Sequence, residues 1–124
     1  MFRIAVLISL IFIAFHPSYL SSRELMYLQE GQNDFDEKYF EINEGFEKIR
    51  HIFLHLVKTT GKLASYCESM EHGKETDSSQ VVNEVLPDLL FHALQIANYY
   101  NVDLSEKYEE RIQFIINRSQ TNSL

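Results

Sequence analysis

From Gly45 to the polar stretch MEHGKETDSS (residues 70–79) the chain has no proline, and apolar or near-apolar residues recur at spacings of mostly three and four: Phe46, Ile49, Phe53, Leu56, Val57, Thr60, Leu63, Ala64 and Cys67. That recurrence is the stripe of a packed α-helix and departs from the strict alternation of a half-buried strand. Cys67 ends the stripe and is expected to be buried and inert. Gly73 is expected to stop the helix and Asp77, Ser78 or Ser79 to cap the next one, which makes the polar stretch a loop between two long helices. The next segment, VVNEVLPDLLFHALQIANYY (residues 81–100), is apolar on nearly every side and is expected at the centre of a bundle or at an interface between copies. Pro87 sits either inside that helix or in its first turn, so the backbone of residues 85–88 is not expected to be a straight helix. Asn101-Val102-Asp103 reads as a turn, with Asp103 or Ser105 capping a last amphipathic helix that carries Tyr108, Ile112, Ile115 and Ile116. Only four glycines and two prolines occur in 124 residues, so turn signals are scarce. The expectation is an all-α fold of roughly four helices.

Two segments lie before the long helix. Residues 4–15, IAVLISLIFIAF, form an uncharged run after Arg3 and are followed by Pro17 and small residues, Ser18, Ser21 and Ser22. This is the layout of a secretory leader covering residues 1–22, and the run is shorter than the roughly 20 residues of a membrane span, so no stable span is expected. Residues 23–45 alternate apolar positions with Gly31 and Asn33-Asp34, and a frayed or broken helix is expected there. The leader and the sequon Asn117-Arg118-Ser119 point to the secretory pathway or the exterior. The single cysteine points the other way, since small exported domains commonly depend on disulfides, and a start near Met26 would leave a cytoplasmic protein. A net charge of −7 argues against nucleic acid as a partner, because phosphate-backbone binding relies on Lys and Arg.

The two long helices carry a family likeness. The segments HIFLHLVKTTGKLASYCE and NEVLPDLLFHALQIANYYNVDLSEKYEERIQFIINR resemble the MazG-like all-α nucleoside triphosphate pyrophosphohydrolases, the dCTP pyrophosphatase group, over residues 51–118. The pieces that carry the likeness are the LV…GKLA core, the DLL helix start, ALQIAN ahead of VDL, and a closing basic helix with Arg118. The resemblance implies a MazG-like four-helix bundle at residues 46–118, and both it and the apolar helix around Leu89 to Ile96, too much for so small a domain to cover, point to completion by oligomerisation; residues 119–124 are expected to be a disordered tail. Members of that family bind Mg²⁺ through Glu-x-x-Glu on one helix and Glu-x-x-Asp on the next, and split a nucleotide between its α and β phosphates. Residues three apart share a helix face, so two facing helices present four carboxylates to hard cations. Matched position by position, those ligands fall on Thr59, Lys62, Val85 and Asp88.

Three of the four carboxylates are therefore replaced, and the resemblance implies a frame in which (d)NTP hydrolysis is lost or strongly reduced. If activity survives, Mg²⁺ is the implied cofactor, with Asp88 and the neighbouring Glu84 as ligands and Lys62, Arg111 and Arg118 around the phosphates. Lys62 also allows another chemistry, in which an ammonium replaces the metal and the pocket holds a nucleotide or other small anion without cleaving it. His51, His55, Asp88 and His92 lie at spacings of four within their helices and form an alternative transition-metal set. The plainer reading leaves His51 and His55 on a polar face and His92 buried against a neighbour. Cys67 and His72, five residues apart, fall on different helix faces and make a poor nucleophile and base. The rival function, from another class, is a secreted or lumenal helical binding protein without nucleotide chemistry.

Overall fold

The computed structural model describes residues 17–121, with side-chain surroundings from residue 23 onwards. Four α-helices follow in order: α1 (Pro17–Tyr39), α2 (Phe46–Glu71), α3 (Leu86–Tyr99) and α4 (Leu104–Thr121), and a π-helical turn, Val81–Val85, leads directly into α3. Among the described residues there is no strand, so the fold is all-α. No described helix is long and apolar enough to cross a membrane. The expected leader run at residues 4–15 lies outside the described residues. The chain divides into two compact units, Leu28–Asp103 and a second unit made of the chain through Tyr27 together with Leu104 onwards.

Within the unit Leu28–Asp103, α1 departs from expectation. The segment expected to be frayed or broken around Gly31 and Asn33-Asp34 belongs to one uninterrupted helix. Glycine inside a helix costs only about 1 kcal/mol. Local pairs of side chains work in the other direction: Asn33 donates to Glu37 at 2.9 Å, and buried Gln32 donates to buried Asp36 at 2.9 Å.

The boundaries of α2 follow the sequence closely. Gly45 precedes it with φ of +86°, a left-handed conformation that glycine adopts without a Cβ clash. Gly73 (φ +68°) closes it, with the Gly73 N–H on the Met70 carbonyl and the Lys74 N–H on the Ser69 carbonyl. Those two bonds satisfy carbonyls that the helix end would otherwise leave bare. Asp77 then accepts from the Ser79 N–H and hydroxyl at 2.9 and 2.7 Å, which organises the start of the next helix.

Pro87 explains the π-helical turn. A proline has no N–H to give and its ring crowds the carbonyl four residues earlier, here that of Asn83. The chain widens just before it, so that the Leu86 N–H reaches back five residues to the Val81 carbonyl, and Pro87 sits in the first turn of α3. At the far end, Asn101 adopts φ of +52°, and the Val102 N–H bonds the Ala97 carbonyl, a second left-handed helix stop.

α2 runs antiparallel to the π turn and α3, since Lys62 meets Glu84 while His55 meets His92. The core between them is small: Ile49, Ile52, Val85, Leu94 and Ala97 are buried, Ile52 and Val85 at 1% exposure. The buried face of α2 is not the stripe expected from the sequence. Ile49, Ile52 and Thr59 are buried and Leu56 and Leu63 half-buried, at spacings of three and four. Phe46, Phe53, Val57, Thr60, Ala64 and Cys67 are exposed. The helix thus carries two apolar stripes with the same period, and only one of them meets α3. Cys67 is an exposed free thiol, contrary to expectation. The open stripe, with Tyr99 and Tyr100, lines a shallow groove of about 510 Å³. α3 is likewise one-sided: His92, Leu94, Gln95 and Ala97 are buried while Leu86 and Leu90 are exposed.

In the second unit, α4 extends to Thr121, so the chain past residue 118, expected to be a tail, is helical that far. Lys107 pairs with Glu110 at 2.9 Å, and Arg111 lies over the Phe114 ring at 5.0 Å. Tyr108, Phe114, Ile115 and Ile116 are exposed.

Ile52→Ala is expected to lower the unfolding free energy by about 2–5 kcal/mol, seen as a lower urea midpoint, because it empties the centre of the small core. Leu54→Ala, on the exposed side of the same helix, is expected to change it by less than about 0.5 kcal/mol.

Candidate functional site

Four residues of α2 and three of α3 line one cleft of about 250 Å³: His55, Lys58, Thr59 and Lys62 from the first, Asp88, Phe91 and His92 from the second. Their spacing makes this possible. Positions 55, 58, 59 and 62 share a face of α2, and 88, 91 and 92 share a face of α3, at intervals of three and four. The antiparallel pairing then sets one row opposite the other. Thr59, Lys62 and Asp88, three of the positions at which the family resemblance places metal ligands, are brought together here. Val85, the fourth, is in the hydrophobic core.

Lys62 and Glu84 form an ion pair with a direct hydrogen bond that bridges α2 and the π turn. Gln80 adds a second donor to Glu84 at 3.2 Å. The Lys62 hydrogen bond, and then that from Gln80, hold the Glu84 carboxyl below its ordinary range. The wider turn before Pro87 is what swings Glu84 toward α2 while Val85 turns inward.

The histidines stack in a row. The rings of His51 and His55 are 4.4 Å apart and those of His55 and His92 6.2 Å, and Phe40 meets His51 edge-on at 5.3 Å. His55 titrates below the ordinary histidine value, first through desolvation and then through the nearby His51, His92 and Lys58, with Asp88 opposing them. Among the described residues no three His, Cys, Asp or Glu side chains are grouped so as to hold a metal ion.

A buried polar network stands behind the cleft. Asp36 of α1, 5% exposed, accepts from Gln32 at 2.9 Å and from the Gln95 amide nitrogen at 3.0 Å. The carboxylate only accepts, so it takes the NH₂ end of Gln95 and turns the amide oxygen toward His92 Nδ1, 3.1 Å away. In the neutral ring this places the proton on Nδ1, which donates to Gln95, and leaves the lone pair on Nε2. α1 is further tied to the end of α3 by Gln29, which donates to the Val102 carbonyl at 2.7 Å, and by Asn98, which donates to the Gln29 carbonyl at 3.0 Å.

The expectation that His92 is buried against a neighbour holds, with Gln95 as that neighbour. Arg111 and Arg118 belong to α4 in the other unit, and the cleft is built from the unit Leu28–Asp103 alone. The Asp36–Gln95 relay and the Phe91 wall were missed in the sequence. Its trace was there: His92 and Gln95, three apart on an otherwise apolar helix, and Gln32 and Asp36, four apart, each needed partners once buried.

Compared with known proteins, the chain matches no family model, no curated protein and no solved structure.

Glu84 and His55 both make the fold acid-sensitive. Glu84 is held below its ordinary 4.5, so its pairing stabilises the fold above that pH and is lost as pH falls through its folded value. His55 is held below 6.5, so the unfolded chain takes up the proton first and stability drops as pH falls through that value. In urea titrations across pH, Glu84→Gln is expected to flatten the lower of the two steps and His55→Gln the upper one.

Proposed function

We propose that this chain is a MazG-like helical protein that keeps the frame of a nucleoside triphosphate pyrophosphohydrolase, has lost metal-dependent hydrolysis or retains it only weakly, and uses the cleft between α2 and α3 to bind a small ligand. The observation that carries this reading is the Lys62–Glu84 ion pair across the two helices. The family's chemistry needs carboxylates on both sides to hold Mg²⁺ against phosphate oxygens. Here the cleft offers Thr59 and two ammonium groups from α2 against Asp88 from α3. A divalent cation would have to break the Lys62–Glu84 pair and then sit beside Lys58 and Lys62, a repulsion that one or two carboxylates do not offset. The residues present do not fit Mg²⁺.

Homo-oligomerisation belongs to the same reading. Phe46, Leu54, Val57 and Tyr100 are exposed along one groove, and a second copy packed there would remove their apolar surface from water.

The test is calorimetric titration of the full chain with nucleoside triphosphates, with and without Mg²⁺ or Mn²⁺, and assay of pyrophosphate release in the same samples. The expected result is no metal-dependent release. Metal-dependent turnover would overturn the loss of hydrolysis and return Glu84 and Asp88 to the role of ligands. Neither nucleotide binding nor release would favour a helical binding protein without nucleotide chemistry.

A further inference from the structure

We propose that the cleft between α2 and α3 is a site for a small zwitterion, a molecule joining an acidic oxyanion to a primary amine. The inference rests on the reading of the cleft as a non-hydrolytic ligand site and names the ligand class.

The argument starts from which charges in the cleft are already spent. Lys62 and Glu84 neutralise each other. Lys58 and Asp88 face the same cavity from opposite helices, and among the described residues neither makes an ion pair, with each other or with any other group. The cleft therefore holds one uncommitted ammonium and one uncommitted carboxylate, more than 4.0 Å apart.

That arrangement discriminates between ligand classes. A simple dianion meets one free ammonium and is repelled by Asp88. A simple cation meets one free carboxylate and is repelled by Lys58. A zwitterion of matching length satisfies both ends at once, and complementary placement of opposite charges is what sets specificity in such sites. The rest of the lining divides in the same sense. On the α2 side, Thr59 contributes a hydroxyl beside Lys58 for the oxyanion. On the α3 side, Phe91 lines the cleft as an aromatic neighbour for an ammonium, and His92, its Nδ1 proton committed to Gln95, has the Nε2 lone pair for an amine N–H. Asp36 and Gln95 act here as positioning residues, since they fix which edge of His92 can accept. The volume of about 250 Å³ is below the range of drug-sized pockets and suits a ligand of few atoms.

The probes are O-phosphoethanolamine and β-alanine as zwitterions with a phosphate or a carboxylate end, sulfate as the anion alone, and ethylamine as the cation alone. Each is titrated near neutral pH into the full chain by calorimetry and followed by NMR shifts of the histidine rings. At least one zwitterion is expected to bind about tenfold or more tighter than sulfate or ethylamine, the preference for one zwitterion over the other telling phosphate from carboxylate. Asp88→Asn should bring the affinity for that zwitterion down to that for sulfate without weakening sulfate. Lys58→Ala should weaken both, and Glu84→Gln, by freeing Lys62, should shift the preference toward sulfate. Lys58 is exposed and Asp88 only half-buried, so these variants are expected to fold, and the comparison of probes on the unaltered chain decides the matter without them. Sulfate binding as tightly as both zwitterions, or none of the four binding, would overturn the proposal. Metal-dependent pyrophosphate release would instead overturn the loss of hydrolysis, whatever the probes show.

Discussion

A primary amide buried between helices has to find partners for both of its ends, and Gln95 finds them in one arrangement only. Its nitrogen end is claimed by Asp36 of α1, which can only accept, and its oxygen end by His92, which can only donate there. Leaving any of these groups without a partner would cost about 1–3 kcal/mol or more, comparable to the contribution of a whole buried side chain in so small a core. The consequence is structural and chemical at once. α1 is held to α3 at this register, and the His92 ring is held with Nδ1 on Gln95.

Pro87 has a similar reach through a different cause. Without an N–H to continue the ladder, the backbone before it widens into the π turn. That widening decides which of two adjacent residues pairs with Lys62. Glu84 reaches Lys62, and Val85 enters the core. Electrostatics in the cleft follow from this choice: one ammonium is neutralised from the side, and the remaining charges, Lys58 and Asp88, are left balanced across the cavity.

Much of this was legible in the chain itself. The stops at Gly73 and Asn101, the organising role of Asp77 and the disturbance ahead of Pro87 all depend on a few neighbouring residues, and the structure has each where the sequence puts it. The site was legible in part. Thr59, Lys62 and Asp88 share a cleft because intervals of three and four on two antiparallel helices leave them facing each other. Other readings failed for want of a partner in view. The polar pair Gln32 and Asp36 in α1 is buried only because Gln95 of α3 donates to Asp36, a partner 59 residues away. The buried face of α2 could not be chosen between two stripes of equal period, and Cys67 lay on the one that α3 does not cover.

The sequence by itself determined that the chain is helical and where most of its helices stop, because hydrophobic period, left-handed stops and the missing proline N–H act within a turn or two of backbone. Tertiary structure decided which apolar stripe is buried, that Glu84 rather than Val85 answers Lys62, and which nitrogen of His92 is free. Each of those is set by a group on another helix: apolar packing against α3 chooses the stripe, the Lys62 ammonium claims Glu84, and buried Asp36, which must be paired, orients Gln95 and through it His92.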